Sequence, residues 1–376
     1  MTYPKLRVAV IGNGMIANAA HIPAYRNLSD RVEIVAVADT RLQAAKETAA
    51  RYGIPKWYED PQQMLDEVHP DWVSVCTPNN YHKHWSIQAL RAGAHVLCEK
   101  PIALRLQDAQ EIYAEADRAG KLFFPCQSMR FSSDIQAAKK IFDSGRLGEV
   151  YFSDVEIIRR RGVPTWGMFH MKEHNFGGPF CDLGVHFLDS ALYILGSPKM
   201  HSVSGGAFCK IANLGEDVET SLADSGAPAG TFTPRPYDYH EFDVEDFAAG
   251  SMIFENDMIL NFKFSWAVNL PNGGHMDFAG DKGGMRASPL QIWTNLDGYQ
   301  VDVKPHTFSM NQYQDVPFAG HWYMIEHIER CIRGEEEYLV KREEALNICA
   351  IIEAFYLSAE KKRPVLIEEL GQMNKN

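Results

Sequence analysis

Cysteine is sparse and unordered in this chain: the seven residues Cys76, Cys98, Cys126, Cys181, Cys209, Cys331 and Cys349 are scattered, odd in number and form no CxxC pair. That pattern excludes a disulfide framework and a zinc ribbon, and it fits a reducing cytoplasm. Basic charge is also in deficit, with 37 Lys and Arg against 49 Asp and Glu and a formal net charge of -12. A polyanion-binding surface needs clustered cations to displace counterions, so no nucleic-acid partner is expected. The one basic run, Arg159-Arg160-Arg161, would send its members to alternate sides of a strand, which suits a local phosphate, carboxylate or acidic neighbour. Long apolar runs are missing as well. Residues 1–5 lead straight into a strand-like segment without a signal-peptide region, and no later stretch approaches a membrane span. A cytoplasmic protein without a membrane partner is the expectation, and its 376 residues suggest two domains.

What is present begins with Leu6-Arg7-Val8-Ala9-Val10-Ile11, a β-branched run that ends in Gly12-Asn13-Gly14-Met15-Ile16-Ala17 and continues helix-like to Asn27. Gly12 suits a tight turn, Gly14 lets the backbone approach a pyrophosphate, and Ala17 lets helix and strand pack closely. Alone, such a glycine pattern is as compatible with an ordinary turn. The context selects the nucleotide reading. A second strand, Val32 to Ala38, ends at Asp39-Thr40, where a carboxylate can accept hydrogen bonds from the adenosine ribose. Asp39 repels a 2′-phosphate and favours NAD over NADP, a preference that Arg41 weakens without reversing. The competing role for Asp39 is a plain helix cap.

Trp72 to Cys76 reads as a buried strand running into Thr77-Pro78-Asn79-Asn80 and a helix from Tyr81 to Ala92. His95-Val96-Leu97-Cys98 is another strand, followed by Glu99-Lys100-Pro101 and a helix to Ala119, and Leu122-Phe123-Phe124 is the last strand of this half. Alternating strands and helices imply a parallel sheet that binds ligands at its carboxyl ends, where Asp39, Thr77, Asn79, Glu99 and Lys100 fall. Gln127 and Arg130, just past the last strand, should face the cleft as cofactor or substrate contacts.

Gly12-Asn13-Gly14, Thr77-Pro78-Asn79 with His82, Glu99-Lys100-Pro101, and Gly177-Gly178 followed by Asp182 and His186 occur in the order of, and together resemble, the glucose–fructose oxidoreductase, inositol dehydrogenase and rhizopine-catabolism (Gfo/Idh/MocA) oxidoreductase family. The resemblance spans nearly the whole chain. It implies an α/β fold: an N-terminal NAD-binding Rossmann domain, placed at 1–125, then a substrate-binding and oligomerisation α+β domain, 126–376, with an open, mainly antiparallel sheet. It further implies a homodimer or homotetramer, a sugar, glycoside or cyclitol substrate, and Lys100 and His186 beside the reacting hydroxyl with Asp182 close by. In the cofactor set the resemblance adds Pro78, Asn79, His82 and Glu99 to the loop residues Gly12 to Ile16, Asp39, Thr40, Thr77 and Lys100.

Independently of any family, Pro179 to Leu195 reads as a helix, with Gly177-Gly178 before it and Gly196-Ser197-Pro198 ending it. Phe180, Leu183, Gly184, Phe187, Ala191 and Leu195 share one face, and Asp182, His186, Asp189 and Tyr193 the opposite one. A solvated polar face would explain the second set. The glycine pair and the need for a proton acceptor in a hydride-transfer enzyme favour catalysis, with His186 as general base and Lys100 stabilising charge on the substrate oxygen. The alternative for Lys100 is a surface lysine before a turn.

Trp166, in the turn-rich stretch 162–167, could stack on a sugar ring or only pack. His170 and His174 are spaced for one helix face, but Lys172 between them and the lack of a carboxylate partner argue against a metal, and none is expected. Val150 to Arg159 should open the second sheet, Phe247–Phe254 and Met258–Trp266 form a hairpin, Asp281 to Gly284 another turn, and Trp322–Arg333 and Lys341–Lys361 two helices. The stretch from Asn213 to Tyr239 looks like a long irregular insertion. Two other functions stay open beside the dehydrogenase: an NAD-dependent glycosidase that works by transient oxidation and elimination, and a non-catalytic NAD-sensing protein.

Overall fold

Strand β1 (Leu6–Ile11) buries Val8 and Val10 on one side and Ala9 and Ile11 on the other, so both sides of its sheet need a cover. The computed structural model, which describes residues 4–215, 230–306, 313 and 316–373, shows how that cover is supplied. β1 lies in a six-stranded parallel sheet with β2 (Val32–Ala38), β3 (Trp57–Tyr58), β4 (Trp72–Val75), β5 (His95–Cys98) and β6 (Phe123–Pro125), in the order β3-β2-β1-β4-β5-β6. The order reverses direction beside β1, which opens a crevice at the strand ends.

A π-turn, Ala17–His21, leads into α1 (Ile22–Asn27), and α2 (Leu42–Tyr52), α3 (Pro61–Val68), α4 (His82–Arg91), α5 (Leu106–Ala119) and α6 (Ser133–Asp143) follow. A second sheet of nine strands comprises β7 (Val150–Ile158), β8 (Met200–Phe208), β9 (Phe247–Phe254), β10 (Ile259–Ser265), β11 (Gly273–Gly280), β12 (Gly283–Arg286), β13 (Gln291–Leu296), β14 (Tyr299–Val303) and β15 (Val365–Leu366). All its neighbours pair antiparallel except β7 with β10. The hairpin β9–β10 and the turn at 281–282 stand where the sequence places them. The irregular stretch 213–239 lies partly outside the described residues, at 216–229.

The remaining helices are α7 (Lys172–Asn175), α8 (Val185–Ile194), α9 (Ala319–Ile332), α10 (Arg342–Lys361) and α11 (Ile367–Met373), and one face of the second sheet packs on α6, α8, α10 and α11. Phe180, Phe262, Phe264 and Phe355 meet in its core, with Phe180 stacked on Phe355 at 3.8 Å between centroids. The last helices also return to the first sheet. Met324, Ile325 and Ile328 of α9 pack with Val8, Val10 and Trp72, and Ala345 and Cys349 of α10 join the cluster on the opposite face.

The structure departs from the sequence expectations at four points. The helix read from Pro179 to Leu195 opens with a π-turn, Phe180–Gly184, before α8. Its second face is not uniformly polar and solvated: Asp189 is 1% exposed and Tyr193 is buried, because the helix is enclosed by neighbours on both sides. Arg130, expected in the cleft, explains Asp189. Its guanidinium is itself 1% exposed and grips Asp189 bidentately, Nε to Oδ2 and Nη2 to Oδ1 at 2.7 Å each, while Nη1 donates to Glu344 of α10. Burial works against the Arg130 charge, but Asp189 and Glu344 outweigh it and hold the guanidinium protonated. Gln127 is likewise buried and does not line the cleft.

Replacing Arg130 with Ala strands a buried carboxylate, and we expect a loss of about 3 to 5 kcal/mol of stability. Urea denaturation of wild type and R130A checks this; a loss below about 1 kcal/mol would show that water enters to solvate Asp189.

Candidate active site

A cavity of about 670 Å³ runs along the carboxyl ends of the first sheet and under the second. At one end lie Gly12, Gly14, Met15 and Ile16 of the loop after β1, with Asp39 and Thr40 after β2. Gly12 takes φ +90, and a Cβ there would sit 2.6 Å from the Cys76 carbonyl oxygen, so only glycine fits this turn. A Cβ on Gly14 would meet no protein atom, which leaves open space in front of the backbone. Asn13 is buried beside them rather than on the cavity wall, and its N–H donates to Asp39 Oδ2 at 2.7 Å. Asp39 Oδ1 accepts from Arg41 N at 2.8 Å, so main-chain donors from two loops aim this carboxylate.

The loop after β4 supplies Thr77, Pro78 and Asn79 to the wall. Thr77 Oγ1 is buried without a hydrogen-bond partner, a donor kept for something the cavity would hold. His82 also touches the cavity, but its ring nitrogens lie 2.8 Å from the Thr77 carbonyl and 2.7 Å from that of Pro101. It ties two loops together. An open approach at Gly14, an orphaned hydroxyl at Thr77 and an oriented Asp39 are what a dinucleotide's phosphates and ribose require.

Midway along the cavity, the end of β5 meets the π-turn before α8. Lys100 Nζ donates to both the main-chain oxygen and Oδ1 of Asp182, each at 2.9 Å. Trp266, fully buried after β10, donates Nε1–H to Asp182 Oδ2 at 3.1 Å, so both carboxylate oxygens are occupied. Burial pushes the Asp182 carboxyl up, yet Lys100 and Arg159 together bring it below its ordinary value and keep it ionised. Arg159 lines the cavity just past β7, where the basic run turns out to have the acidic neighbour its sequence suggested. Arg160 and Arg161 instead engage the 268–272 loop.

His186, one turn on, lines the same cavity, and its Nδ1 is buried with no partner. Burial first and Lys100 second lower its imidazole to about 3, so the ring is neutral at any physiological pH. The π-turn sets the rotation of Asp182 relative to α8, and Asp182 and His186 line one cavity; Asp189, three residues after His186 in regular α8, instead faces Arg130.

Trp166 reaches the wall but is nearly buried, with Met15 beside it and edge-on contacts to Phe169 at 4.7 Å and Phe232 at 6.1 Å. His170 and His174 do not share a helix face. His170 precedes α7, buried against Tyr237 and Phe242, and His174 lines the cavity near Tyr81. Sequence reasoning missed His21 and His321, which converge on Glu99 from opposite ends of the chain, and also Trp266. His21 follows the glycine loop by a helical turn, the one signal that could have drawn it in. Nothing local marks His321.

With this geometry in hand, comparison with known proteins is decisive for the family. Residues 6–126 match the model for the NAD-binding Rossmann fold of the Gfo/Idh/MocA oxidoreductases, and residues 139–367 match the model for their C-terminal alpha/beta domain. The chain is 35% identical over 362 residues to D-glucoside 3-dehydrogenase of Escherichia coli K12, covering 96% of this chain and 97% of that one. It is 24% identical over 374 residues to D-apiose dehydrogenase of Paraburkholderia graminis, covering 98% and 92%. Among solved structures, a levoglucosan dehydrogenase in complex with NADH and levoglucosan superposes with a TM-score of 0.79 at 18% identity, covering 97% of this chain and all of the other, a match that concerns the fold. No described helix is long and apolar enough to cross a membrane. The chain belongs to the Gfo/Idh/MocA family and is an oxidoreductase with an NAD-binding Rossmann fold.

Proposed function

We propose that this enzyme moves a hydride between NAD and a secondary alcohol of a sugar or glycoside, with a D-glucoside oxidised at C3 as the first substrate to try. The observation that carries the reading is Lys100 Nζ held by two oxygens of Asp182, beside a neutral His186 and in the same cavity as the glycine loop. The choice of a glucoside is supported by the extended match to the Escherichia coli enzyme of that name.

An ammonium group has three N–H donors, and Asp182 takes two of them. The third is left for a substrate oxygen, where it stabilises the charge that develops as the O–H proton departs. Asp182 itself, with both carboxylate oxygens engaged, is a positioning residue rather than the base. His186, neutral and with Nδ1 left without a partner, is the group in the cavity placed to take the proton. The nicotinamide, when bound, accepts the hydride. Trp166, Phe169 and Phe232 give this end of the cavity an apolar wall suited to the C–H face of a sugar ring.

Mixing the protein with NAD and a panel of inositols, free sugars and alkyl or aryl glucosides should yield NADH with glucosides, and H186A should lower kcat by about 10² to 10⁴ while NAD affinity holds. Glycoside cleavage without NADH would instead identify a redox glycosidase, and no reaction with any member would remove the sugar reading. The protonation of His186 can be read directly: in ¹³C spectra of histidine-labelled protein, with H186N to assign the signal, it should stay neutral from pH 8 down to pH 5. A midpoint near the ordinary histidine value would contradict the burial argument. We assign the preference for NAD over NADP to Asp39. Asp39→Ser, with Arg41 retained, should shift the ratio of NAD to NADP dissociation constants at least tenfold toward NADP, and an unchanged ratio would place the selectivity elsewhere.

A further inference from the structure

The Glu99 carboxylate, at the end of β5, is 5% exposed and lies beside Lys100 on the cavity wall. One oxygen, Oε2, accepts the Lys100 main-chain N–H at 3.1 Å. The other, Oε1, is met by three groups: His21 Nε2 at 2.8 Å, Cys126 Sγ at 3.2 Å and His321 Nε2 at 3.4 Å. They arrive from the π-turn before α1, the end of β6 and the first turn of α9.

Behind His21 the hydrogen bonds run on as a chain. Tyr25 OH lies 2.5 Å from Ser74 Oγ, which lies 3.1 Å from His21 Nδ1. If the tyrosine donates to the serine and the serine to Nδ1, the imidazole proton sits on Nε2 and points at Glu99. Burial lowers the His21 pKa, which keeps that ring a neutral donor. The thiol is neutral as well, since burial raises it. Among the described residues no Lys or Arg side chain forms an ion pair with Glu99. Burial alone would push the carboxyl up, but the hydrogen bonds from His21 and His321 reverse this and hold it far below its ordinary value. The charge is therefore retained, although a glutamine could brace the loop without the cost of burying an anion.

We propose that Glu99 makes the site discriminate between the two redox states of the cofactor, binding oxidised nicotinamide in preference to reduced. The inference rests on the NAD-dehydrogenase reading above. A nicotinamide placed for hydride transfer would lie against the carbon whose oxygen faces Lys100, and Glu99 lines the same cavity beside that lysine. The oxidised ring carries a positive charge and the reduced ring none, so a fixed anion in a water-poor wall acts on one form only. Lys100 does not cancel it, because Asp182 is already its counter-ion. Tighter binding of NAD⁺ lowers the potential of the bound couple, by about 30 mV for each tenfold difference in affinity for a two-electron transfer. It also eases departure of NADH after alcohol oxidation.

The test is calorimetric titration of wild type, E99Q and S74A with NAD⁺ and with NADH. Wild type should bind NAD⁺ more tightly than NADH. E99Q should weaken NAD⁺ at least tenfold while NADH changes less than threefold. S74A cuts the chain behind His21 but leaves the anion, and its ratio should match wild type within twofold. Equal weakening of both forms in E99Q would make Glu99 a brace or a ribose contact and overturn the proposal, as would an S74A shift as large as that of E99Q. Should E99Q fail to fold, tighter NADH than NAD⁺ on wild type overturns it alone. Wild type that binds neither form fails at the prior step, the NAD reading itself.

Discussion

Lys100 follows a strand of the first sheet and Asp182 sits in the π-turn ahead of α8, and the contact between them organises the candidate site. Lys100 is fixed by the end of β5, and Asp182 by the π-turn ahead of α8 and by the indole of Trp266. Neither half could orient an ammonium group alone: without Asp182 the lysine has a flexible four-carbon stem, and without Lys100 the carboxylate keeps only Arg159 and the Trp266 N–H against its burial. The rest of the site is arranged around that pair. His186 follows Asp182 by one turn and is kept neutral partly by the lysine charge, and Glu99 precedes Lys100 on the same loop.

The first sheet was legible in the sequence because its signals are local. A β-branched run, a glycine turn and a carboxylate after the next strand recur at short range, and Gly12, Asp39, Thr77 and Lys100 all fall where strand ends must be. The hairpin of β9 and β10 was legible for the same reason, with Glu255-Asn256-Asp257 as its turn. The helix of Asp182 and His186 was legible in extent but not in face. Periodicity put Asp189 with Asp182 and His186, yet Asp189 is claimed by the distant partner Arg130 and only the other two line the cavity.

Long-range pairing explains the other misses. Arg130 looked like a cleft residue because it follows the last strand of the sheet, and its true partners, Asp189 and Glu344, are 59 and 214 residues away. His21 and His321 reach the same oxygen of Glu99 across 78 and 222 residues. No window of sequence contains such a cluster. What betrays it is chemical: a buried carboxylate must find donors, and the fold has to bring them from wherever they lie.

The return of α9 and α10 to the first sheet has a consequence for how such a chain can change over time. Met324, Ile325 and Ile328 complete a hydrophobic face that β1 and β4 begin, and Ala345 and Cys349 do the same on the opposite side. The nucleotide-binding half is thus finished by residues that come after β14 in the chain. It cannot be lifted out and joined to a foreign partner without leaving apolar surface bare, so recombination must exchange the whole unit or alter the loops on its rim.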